Sequence, residues 1–571
     1  MRGDWTGVIG RRSISRQGIV RHWRSTRDGR WSCFRRCRTS ANIFQTLALE
    51  PDSRLDLRSR ELAVFIEHRW KVAPNLLITA GLRYDYASPP RSHDGELEQR
   101  LSLTEANVPG LDVSDPIRAQ FASTFRAYLT HLDGRKTIYD SDGDNFGPRI
   151  GLVWDPSRRG TFAVRGGYGL VYDVPLGTVV MQSRNTFPAY VPLNFGVQGI
   201  FPGYARNPAF FPGPLLVPGS LNQLNGSAES LPEVLGGLFF VTGNALSFTL
   251  PERRFQTPHA HEWNVGVETV LPARSRLAAR YVGTAGRELT RLALPNGGPF
   301  TNARYLPSLG FEIHPLVEKR PDPDLGPYEE FRSDASSSYH ALEIEGETSP
   351  IDGLDVRAAW TWSHAIDDVS DVFKTSGTSP FAQDELARHG GPRAERASAA
   401  FDVRHRFVGT VVYTPDWGEG PGWNGWSFAG VVELSTGQPF TVVTSLDANL
   451  DGVLTDRPIS SEGFVTFDAG SRIVGIEPGV DPFSLVELPD REVLFNGGLG
   501  RNTFRGRGIA TVDFAVSKSF DIGRGRVELR LECFNALNRA HYAPARPRAR
   551  SAGFPACRRH RRSRPGSFRS D

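Results

Sequence analysis

Residues 509–535 read IATVDFAVSKSFDIGRGRVELRLECFN, and this segment decides the fold because two strands of strict alternation flank one turn. One set of alternate residues is apolar: Ala510, Val512, Phe514 and Val516 before the turn, and Val527, Leu529, Leu531 and Cys533 after it. The intervening set is mostly polar or charged: Thr511, Asp513, Ala515, Ser517, Glu528, Arg530, Glu532 and Phe534. Because side chains alternate between the two faces of a strand, the segment predicts an antiparallel hairpin with one apolar face and one wet, charged face.

The same pattern occurs in five earlier pairs of segments. They are 61–71 with 75–86, 148–155 with 161–173, 259–270 with 276–283, 339–347 with 354–364, and 403–414 with 426–437. The sequence therefore predicts six hairpins and twelve strands. The turn inside each hairpin is short, whereas successive hairpins are separated by roughly 35 to 85 residues, far more than the usual connection of about 4–6.

Short turns at one rim and long loops at the other are typical of an outer-membrane β-barrel, with periplasmic turns and extracellular loops. The apolar face would contact lipid, and a water-filled lumen would accept the charged residues of the other face: Glu268, Arg280, Asp355, Arg357, Glu528 and Arg530. Aromatic residues near strand ends fit interfacial girdles: Tyr84, Tyr86, Tyr168, Tyr172, Trp360, Trp362 and Tyr413. In the alternative, a soluble β-sandwich, the same aromatic residues would form a core.

Charge is distributed unevenly along the 571 residues. Residues 1–40 carry a net charge of +9 and residues 540–571 carry +8, so the middle carries about −13 when the total is +4. Arginine-rich ends can bind nucleic acid, but these ends lack lysine and base-stacking aromatic spacing, so no nucleic-acid partner is expected. We expect three regions: a disordered basic segment at 1–58, a barrel at 59–539, and a disordered basic tail at 540–571. Translation in a shifted reading frame would explain both ends.

Several barrel segments resemble the TonB-dependent transporter family, and specifically its Oar-like receptors with a carboxypeptidase-regulatory-like domain. The resembling segments are NLLITAGLRYDYASPP (75–90), FGPRIGLVWDP (146–156), TFAVRGGYGLVYD (161–173), FDVRHRFVGTVVYTPDW (401–417) and LGRNTFRGRGIATVDFAVSKSFDIGRGRVELRLECFNALNR (499–539). The resemblance covers about residues 61–539, the C-terminal part of the family's barrel. It implies energy-coupled nutrient uptake through a TonB complex, a 22-stranded barrel and an N-terminal plug domain. This sequence shows no recognisable plug, so we expect a truncated, partial barrel of about 12 strands.

Catalytic motifs are not found: the sequence contains no GxSxG, HExxH or GxxxxGK[ST], and we expect no enzyme and no organic cofactor. His364, Asp367 and Asp368 could take part in acid–base chemistry, but their place after a strand favours a solvated loop. The glycines of 166–173 and 499–508 are expected to allow close packing or bending of strands.

A calcium site is the best candidate for bound chemistry. Asp447, Asn449 and Asp451 alternate in DANLDG, a spacing that can present oxygen atoms to one hard cation. Pro458 stands where an EF-hand would need glutamate, so the alternatives are a calcium-stabilised extracellular loop or a polar turn. The cysteine pair Cys33 and Cys37 lacks a second pair of ligands, and no zinc site is predicted.

Three functions follow as hypotheses. The first is the barrel of an Oar-like transporter in the outer membrane of a Gram-negative-type bacterium. Its partners would be outer-membrane lipid, the barrel-assembly machinery, an unknown extracellular ligand and, where the full gene includes a plug, the TonB complex. The second is a plug-less structural or adhesive barrel, and the third is a soluble secreted β-sandwich that binds carbohydrate. The substrate is not readable from these residues.

Overall fold

The dominant element is one antiparallel sheet of twelve long strands in chain order. The computed structural model describes residues 44–48, 56–107, 116–175, 177, 179–180, 190–194, 246, 248–293, 295–296, 321–322, 324–325, 328–370, 395–418, 422–444, 464–467, 472–476, 500–523, 525–540 and 548–549. The long strands are β1 (Glu61–Ala73), β2 (Leu76–Ala87), β3 (Phe146–Trp154), β4 (Phe162–Tyr172), β5 (His259–Leu271), β6 (Ser275–Ala293), β7 (Glu329–Thr348), β8 (Leu354–Asp367), β9 (His405–Tyr413), β10 (Trp426–Ser435), β11 (Ile509–Ile522) and β12 (Gly525–Cys533).

Each long strand pairs with the strand before it and the strand after it, so the sheet is a continuous meander from β1 to β12. Among the described residues, β1 pairs only with β2 and β12 only with β11. The predicted six hairpins and their order are confirmed. We call the end of the sheet with the tight turns the turn rim, and the opposite end, where the hairpins are connected, the loop rim.

Shorter elements accompany the sheet. The short strands are Phe44–Ala48, Leu57–Arg58, Arg91–Ser92, Tyr190–Asn194, Thr249–Pro251, Ala397–Ser398, Pro439–Phe440, Val443–Thr444, Phe464–Phe467, Arg472–Ile476, Phe504–Arg505 and Arg548–Ala549. The helices are α1 (Glu96–Leu101), a 3₁₀ turn (Glu105–Asn107) and α2 (Pro116–Leu132). No described helix is long and apolar enough to cross a membrane.

The apolar face of the sheet is exposed rather than covered by a second layer. Leu529 and Leu531 on β12 are 62% and 68% exposed, and Ile66 on β1 is 73% exposed. In water such a face would drive association, and in a bilayer it contacts the acyl chains. These residues therefore do not form the core of a β-sandwich.

Among the described residues, the packed core lies instead at the loop rim, in segments that were predicted to be loops. Its members, the loop core, are Leu97, Leu101, Phe121, Phe125, Tyr128, Leu132, Ile138, Tyr139, Val179, Val180, Leu246, Phe248, Leu250, Phe255, Leu292, Leu325 and Phe331. The connection between β2 and β3 was predicted only as one of the long loops, and α1 and α2 form within it. In α2 the buried residues follow helical spacing, with Phe121, Phe125 and Tyr128 on one face.

Two strands are longer than predicted. β6 has 19 residues and β7 has 20, whereas a membrane-crossing strand needs about 9–11. Their extra residues continue past the loop rim as a ribbon, with register shifts between Gly286 and Arg291. The ribbon carries Leu292 and Phe331 into the loop core, and Thr249–Pro251 pairs in parallel with its outer end.

A buried arginine joins the end of α2 to the short strand Thr249–Pro251. Arg135 donates hydrogen bonds to the carbonyls of Ile138 (3.2 Å) and Pro251 (2.9 Å), and a longer one to Leu132 at the end of α2 (3.3 Å). A cation near the last carbonyls of a helix satisfies them and complements the helix dipole. The loop core is therefore held by polar as well as apolar contacts.

Candidate functional site

The polar face of the sheet forms a ladder of cross-strand ion pairs. Its centre is Arg280 on β6, which lies opposite Glu343 on β7 and contacts Glu343 (3.3 Å) and Glu345 (2.9 Å). Further pairs join β4, β5, β6, β7 and β8: Arg165 with Glu268 (3.3 Å), Arg276 with Glu268, Arg276 with Glu347 (3.9 Å), and Arg357 with Glu347 (3.9 Å). The period of two places all of these side chains on one face.

The charged residues predicted for a lumen all belong to this face. Glu268, Arg280 and Arg357 are members of the ladder, and Asp355 accepts a hydrogen bond from Ser349 Oγ (2.6 Å). On β12, Arg530 pairs with Glu532 at 2.8 Å, and Glu528 lies opposite Ser519. Most of these side chains keep a large exposed fraction, so each pair contributes little to stability, about 0.2–1 kcal/mol. Their effect is to keep one side of the sheet hydrated and charged.

A second cluster, the loop-rim arginine cluster, lies at the end of β8 and consists of Arg501, Arg505, Asp367, Asp402 and Glu395. Arg501 binds the Asp367 carboxylate and donates to the backbone carbonyls of Asp367 (2.5 Å) and Glu395 (3.0 Å). Arg505 binds the Asp402 carboxylate and donates to the Gly437 carbonyl (3.1 Å). All three carboxylates are buried.

The loop-rim arginine cluster explains the segment RNTFRGRG (501–508). Its two arginines join the last long loop to residues more than 100 positions earlier. Gly508 lies directly against the Ser435 carbonyl, so that a Cβ on this residue would collide with it. The predicted role of the glycines in close packing is confirmed at this position. Because a buried carboxylate without its cation costs several kcal/mol, the arginines fix the path of this loop.

The prediction that His364, Asp367 and Asp368 lie in a solvated loop was wrong. Asp367 is the last residue of β8, and both aspartates are 2% exposed. Asp368 accepts hydrogen bonds from the backbone N–H (2.8 Å) and the hydroxyl (2.6 Å) of Ser336. These carboxylates are buried because arginines distant in sequence neutralise them. Asp367 is bound by Arg501, and the second carboxylate oxygen of Asp368 lies 3.7 Å from Arg396.

Burial changes the protonation of groups in the loop core. Burial, with the nearby cations Arg135 and Arg332, lowers the pKa of His131 on α2 to about 4. Its ring lies 4.7 Å from the rings of Phe248 and Tyr328, and among the described residues Nε2 has no hydrogen-bond partner. Burial also raises the pKa of Tyr139 to about 12. Both groups are therefore neutral at pH 7.

The proposed metal ligands cannot be placed, since Asp447, Asn449 and Asp451 lie outside the described residues, as do Cys33 and Cys37. In the part of the chain that the structure describes, no three His, Cys, Asp or Glu side chains are arranged to hold a metal ion. The calcium loop remains a prediction.

The sequence did not predict the roles of Arg501 and Arg505, or of the arginines that lie beside the histidines on the apolar face of the sheet. The signal for the former was weak: two arginines four residues apart in a loop, with partners at 367 and 402 that no local pattern indicates. The histidines on the apolar face, in contrast, had a local signal in the sequence. HAHEW (259–263) alternates histidine with other residues, which places His259, His261 and Trp263 on the face that continues into Val265 and Val267.

Comparison with known proteins gives one family match. Residues 42–564 match the family described as outer membrane beta barrel domain. No curated protein matches the chain.

Several solved structures are similar over part of their length. The outer membrane transporter YddB from Escherichia coli shares 10% identity at a TM-score of 0.42, over 84% of this chain and 42% of that one. The FrpB iron transporter from Neisseria meningitidis shares 10% identity at a TM-score of 0.38, over 85% and 42%. The ferripyoverdine receptor of Pseudomonas aeruginosa shares 9% identity at a TM-score of 0.35, over 85% and 35%. The chain thus spans less than half the length of these proteins.

Proposed function

The chain belongs to the outer membrane β-barrel domain family, and from this premise we propose that it forms part of the barrel of an Oar-like, TonB-dependent transporter. The protein is located in the outer membrane of a Gram-negative-type bacterium. The third hypothesis, a soluble carbohydrate-binding sandwich, is excluded by the family match and by the exposed apolar face of the sheet.

The observation that carries the proposal is the contrast between the two faces of one sheet. One face is apolar and exposed, and the other bears a ladder of charges across β4 to β8. A wall that is apolar outside and charged inside encloses water, which a route for polar solutes requires. The sequence resemblance over 61–539 adds the expectation that this route is opened by an energy-transducing complex. The remaining partners in this proposal are the barrel-assembly machinery and an extracellular ligand bound at the loop rim.

The first test is localisation and folding. The full chain, expressed in its native bacterium, is expected in the outer-membrane fraction and should migrate differently in a detergent gel before and after boiling. This shift reports a closed, detergent-resistant barrel. A chain that migrates identically in both conditions would contradict the barrel as the working form of the protein.

The second test is energy coupling. Cells with and without the gene are given a defined peptide digest or an oligosaccharide mixture, and depletion of each component from the medium is measured with and without a protonophore. The proposal expects at least one component whose depletion needs both the gene and the proton-motive force. Gene-dependent depletion that persists with the protonophore would instead indicate a passive pore.

An adhesive or structural barrel is the second candidate, and the loop core favours it. Among the described residues, the buried apolar side chains of the loop core give the loop rim a packed body, which can present a fixed surface to an external partner. In this case deletion of the gene would change attachment of cells to a surface while leaving depletion of every component of the two mixtures unchanged.

A further inference from the structure

A band of histidine and aromatic side chains crosses the outward, apolar face near the loop rim. Its members are Tyr168, Tyr172, His259, His261, Trp263, Tyr281, His340, Trp360, Trp362, His364 and His405. Two hydrogen bonds connect neighbouring strands: Tyr168 to His261 (2.9 Å) and Tyr281 to His340 (2.8 Å). Such side chains have an apolar body and a polar tip, which suits the boundary between acyl chains and water.

Two arginines lie directly beyond this band, and both contact the segment Ser336–Ser338 of β7. Arg287 lies opposite His259 and donates to the Ser337 carbonyl (3.3 Å) and to the Gly286 carbonyl (2.8 Å). Arg396 donates to Ser338 Oγ (3.0 Å) and more weakly to Ser336 Oγ (3.4 Å). Because the two guanidinium groups contact consecutive residues of one short segment of β7, they lie near each other although they are more than 100 residues apart in sequence.

Among the described residues, these two exposed arginines have one carboxylate partner between them. Among the described residues no carboxylate pairs with Arg287, which is exposed. Arg396 has one carboxylate at 3.7 Å, the buried Asp368. Two further carboxylates lie nearby and have other neighbours: Glu288 faces His259 at 3.1 Å, and Asp402 is bound by Arg404 and Arg505. Charge complementarity therefore favours an anionic ligand.

The position of the site indicates which anion it fits. His340 is exposed and lies two residues from Ser338, on the same face of β7. Beyond His340 this face is apolar and exposed: Trp362 is 53% exposed and Val265 is 52% exposed. A free anion would gain nothing from this wall. A lipid would place its headgroup on the arginines and its acyl chains along the wall.

We propose that Arg287, Arg396 and His340 bind the phosphate of an outer-leaflet lipid. The arginine forks supply planar donors that match phosphate oxygens, and the His340 ring and Ser338 hydroxyl supply further polar contacts at the same edge. The site thereby anchors the strand ribbon of β6 and β7 at a fixed depth in the membrane.

The test uses the full chain purified in a non-ionic detergent and titrated with phosphatidic acid, with bound lipid counted by native mass spectrometry. Replacing Arg287 and Arg396 by glutamine together is expected to weaken binding about 25-fold, because each basic residue near an anionic lipid surface contributes about 1 kcal/mol, or about fivefold. The matched control replaces Arg274 and Arg526, two exposed arginines of the turn rim, by glutamine. It should bind phosphatidic acid like the unmodified chain.

Three results would overturn the proposal. One is equal binding by the glutamine double variant, and another is equal weakening by the turn-rim control. The third is displacement of phosphatidic acid by inorganic phosphate at equal concentration, which would identify a site for free phosphate. Boiling-sensitive migration checks that each variant is folded. If the glutamine double variant fails this check, the single variant Arg287→Gln replaces it, and the loss of one basic residue should weaken binding about fivefold.

Discussion

The sheet and the loop core place apolar side chains in opposite environments. On the sheet, Leu529 and Leu531 point away from the protein and are more than half exposed, whereas Phe125 and Phe331 in the loop core have no exposed surface. The polar groups are reversed in the same way: ion pairs of the ladder are wet, and those of the loop-rim arginine cluster are buried. One chain therefore follows two sets of rules, those of a membrane wall and those of a water-soluble domain. The consequences of a substitution should depend on which set applies.

The largest expected effect comes from emptying the loop core. Phe125→Ala should destabilise this region by about 3–5 kcal/mol, because it removes a fully buried ring and leaves a cavity. We expect rapid proteolysis of the segment containing α1 and α2, while the protein should still migrate differently in a detergent gel before and after boiling. Leu529→Ala, on the lipid-facing side, is the matched control and should leave that proteolysis unchanged. Equal protection in both variants would contradict a separate packed core.

The buried and the wet ion pairs should differ nearly as much. Arg501→Gln leaves the Asp367 and Glu395 carboxylates buried without their cation, and we expect a loss of about 3–5 kcal/mol in the stability of the last long loop. Arg280→Gln in the ladder should cost less than about 1 kcal/mol. Hydrogen exchange at residues 500–508 measures the first, and a urea titration in vesicles measures the second. Similar losses of stability in the two variants would show that the ion pairs of the ladder are as shielded from water as those of the loop-rim arginine cluster.

A charge placed on either face of the same strand would distinguish the faces directly. Val267→Arg on the apolar face of β5 should destabilise the wall by about 2–4 kcal/mol, because it exposes a cation to acyl chains. Asn264→Arg, on the polar face of the same strand, should be nearly neutral. Urea titration of both variants in phosphatidylcholine vesicles provides the comparison. If Asn264→Arg destabilised the protein more than Val267→Arg, the assignment of the lipid-facing and water-facing sides of the sheet would have to be reversed.

The smallest expected effect is a pH dependence confined to the loop core. The pKa of His131 is about 4 in the folded protein and about 6.5 when unfolded, so its contribution to stability is complete above pH 6.5 and is lost as the pH falls toward 4. Glu330, 3.9 Å away, offsets part of the cost of protonation, and we expect a loss on the order of 1–2 kcal/mol. Hydrogen exchange at α2 between pH 7 and pH 4.5 should show it.

His131→Phe supplies the control for this prediction. A phenyl ring keeps the contacts with Phe248 and Tyr328 and does not titrate in this range. Exchange at α2 in this variant should depend on pH no more than exchange at the wall strands. An undiminished dependence would assign the effect to another group.

The twelve-stranded sheet could be predicted because the sequence pattern that indicates each hairpin is local. Alternation over ten residues and a tight turn determine one hairpin, and the same signal occurs six times, so strand order followed directly. The lengths of β6 and β7 were underestimated because the alternation fades at the register shifts near Gly286 and Leu289, where the paired strands fall out of step.

The loop core was missed for a different reason. In PIRAQFASTFRAYLTHL, the spacing of Phe121, Phe125, Tyr128 and Leu132 carries a helical signal, but this segment was predicted only as part of a long loop between two hairpins. The partners of Asp367 could not have been predicted at all, since Arg501 lies 134 residues away and no local pattern connects them. Proximity of that kind follows only from the completed fold.

The hairpin arrangement also has a consequence for how such a wall can change over evolution. Every hairpin leaves the loop rim, turns at the opposite rim and returns, so that its two connections lie on the same side of the membrane. Duplication or loss of one whole hairpin would therefore leave every other strand pointing in its original direction. A single inserted strand would carry all later loops across the bilayer. Heritable changes in the width of the barrel are thus confined to steps of two strands, and a gene segment that encodes one hairpin is the smallest unit that can be exchanged.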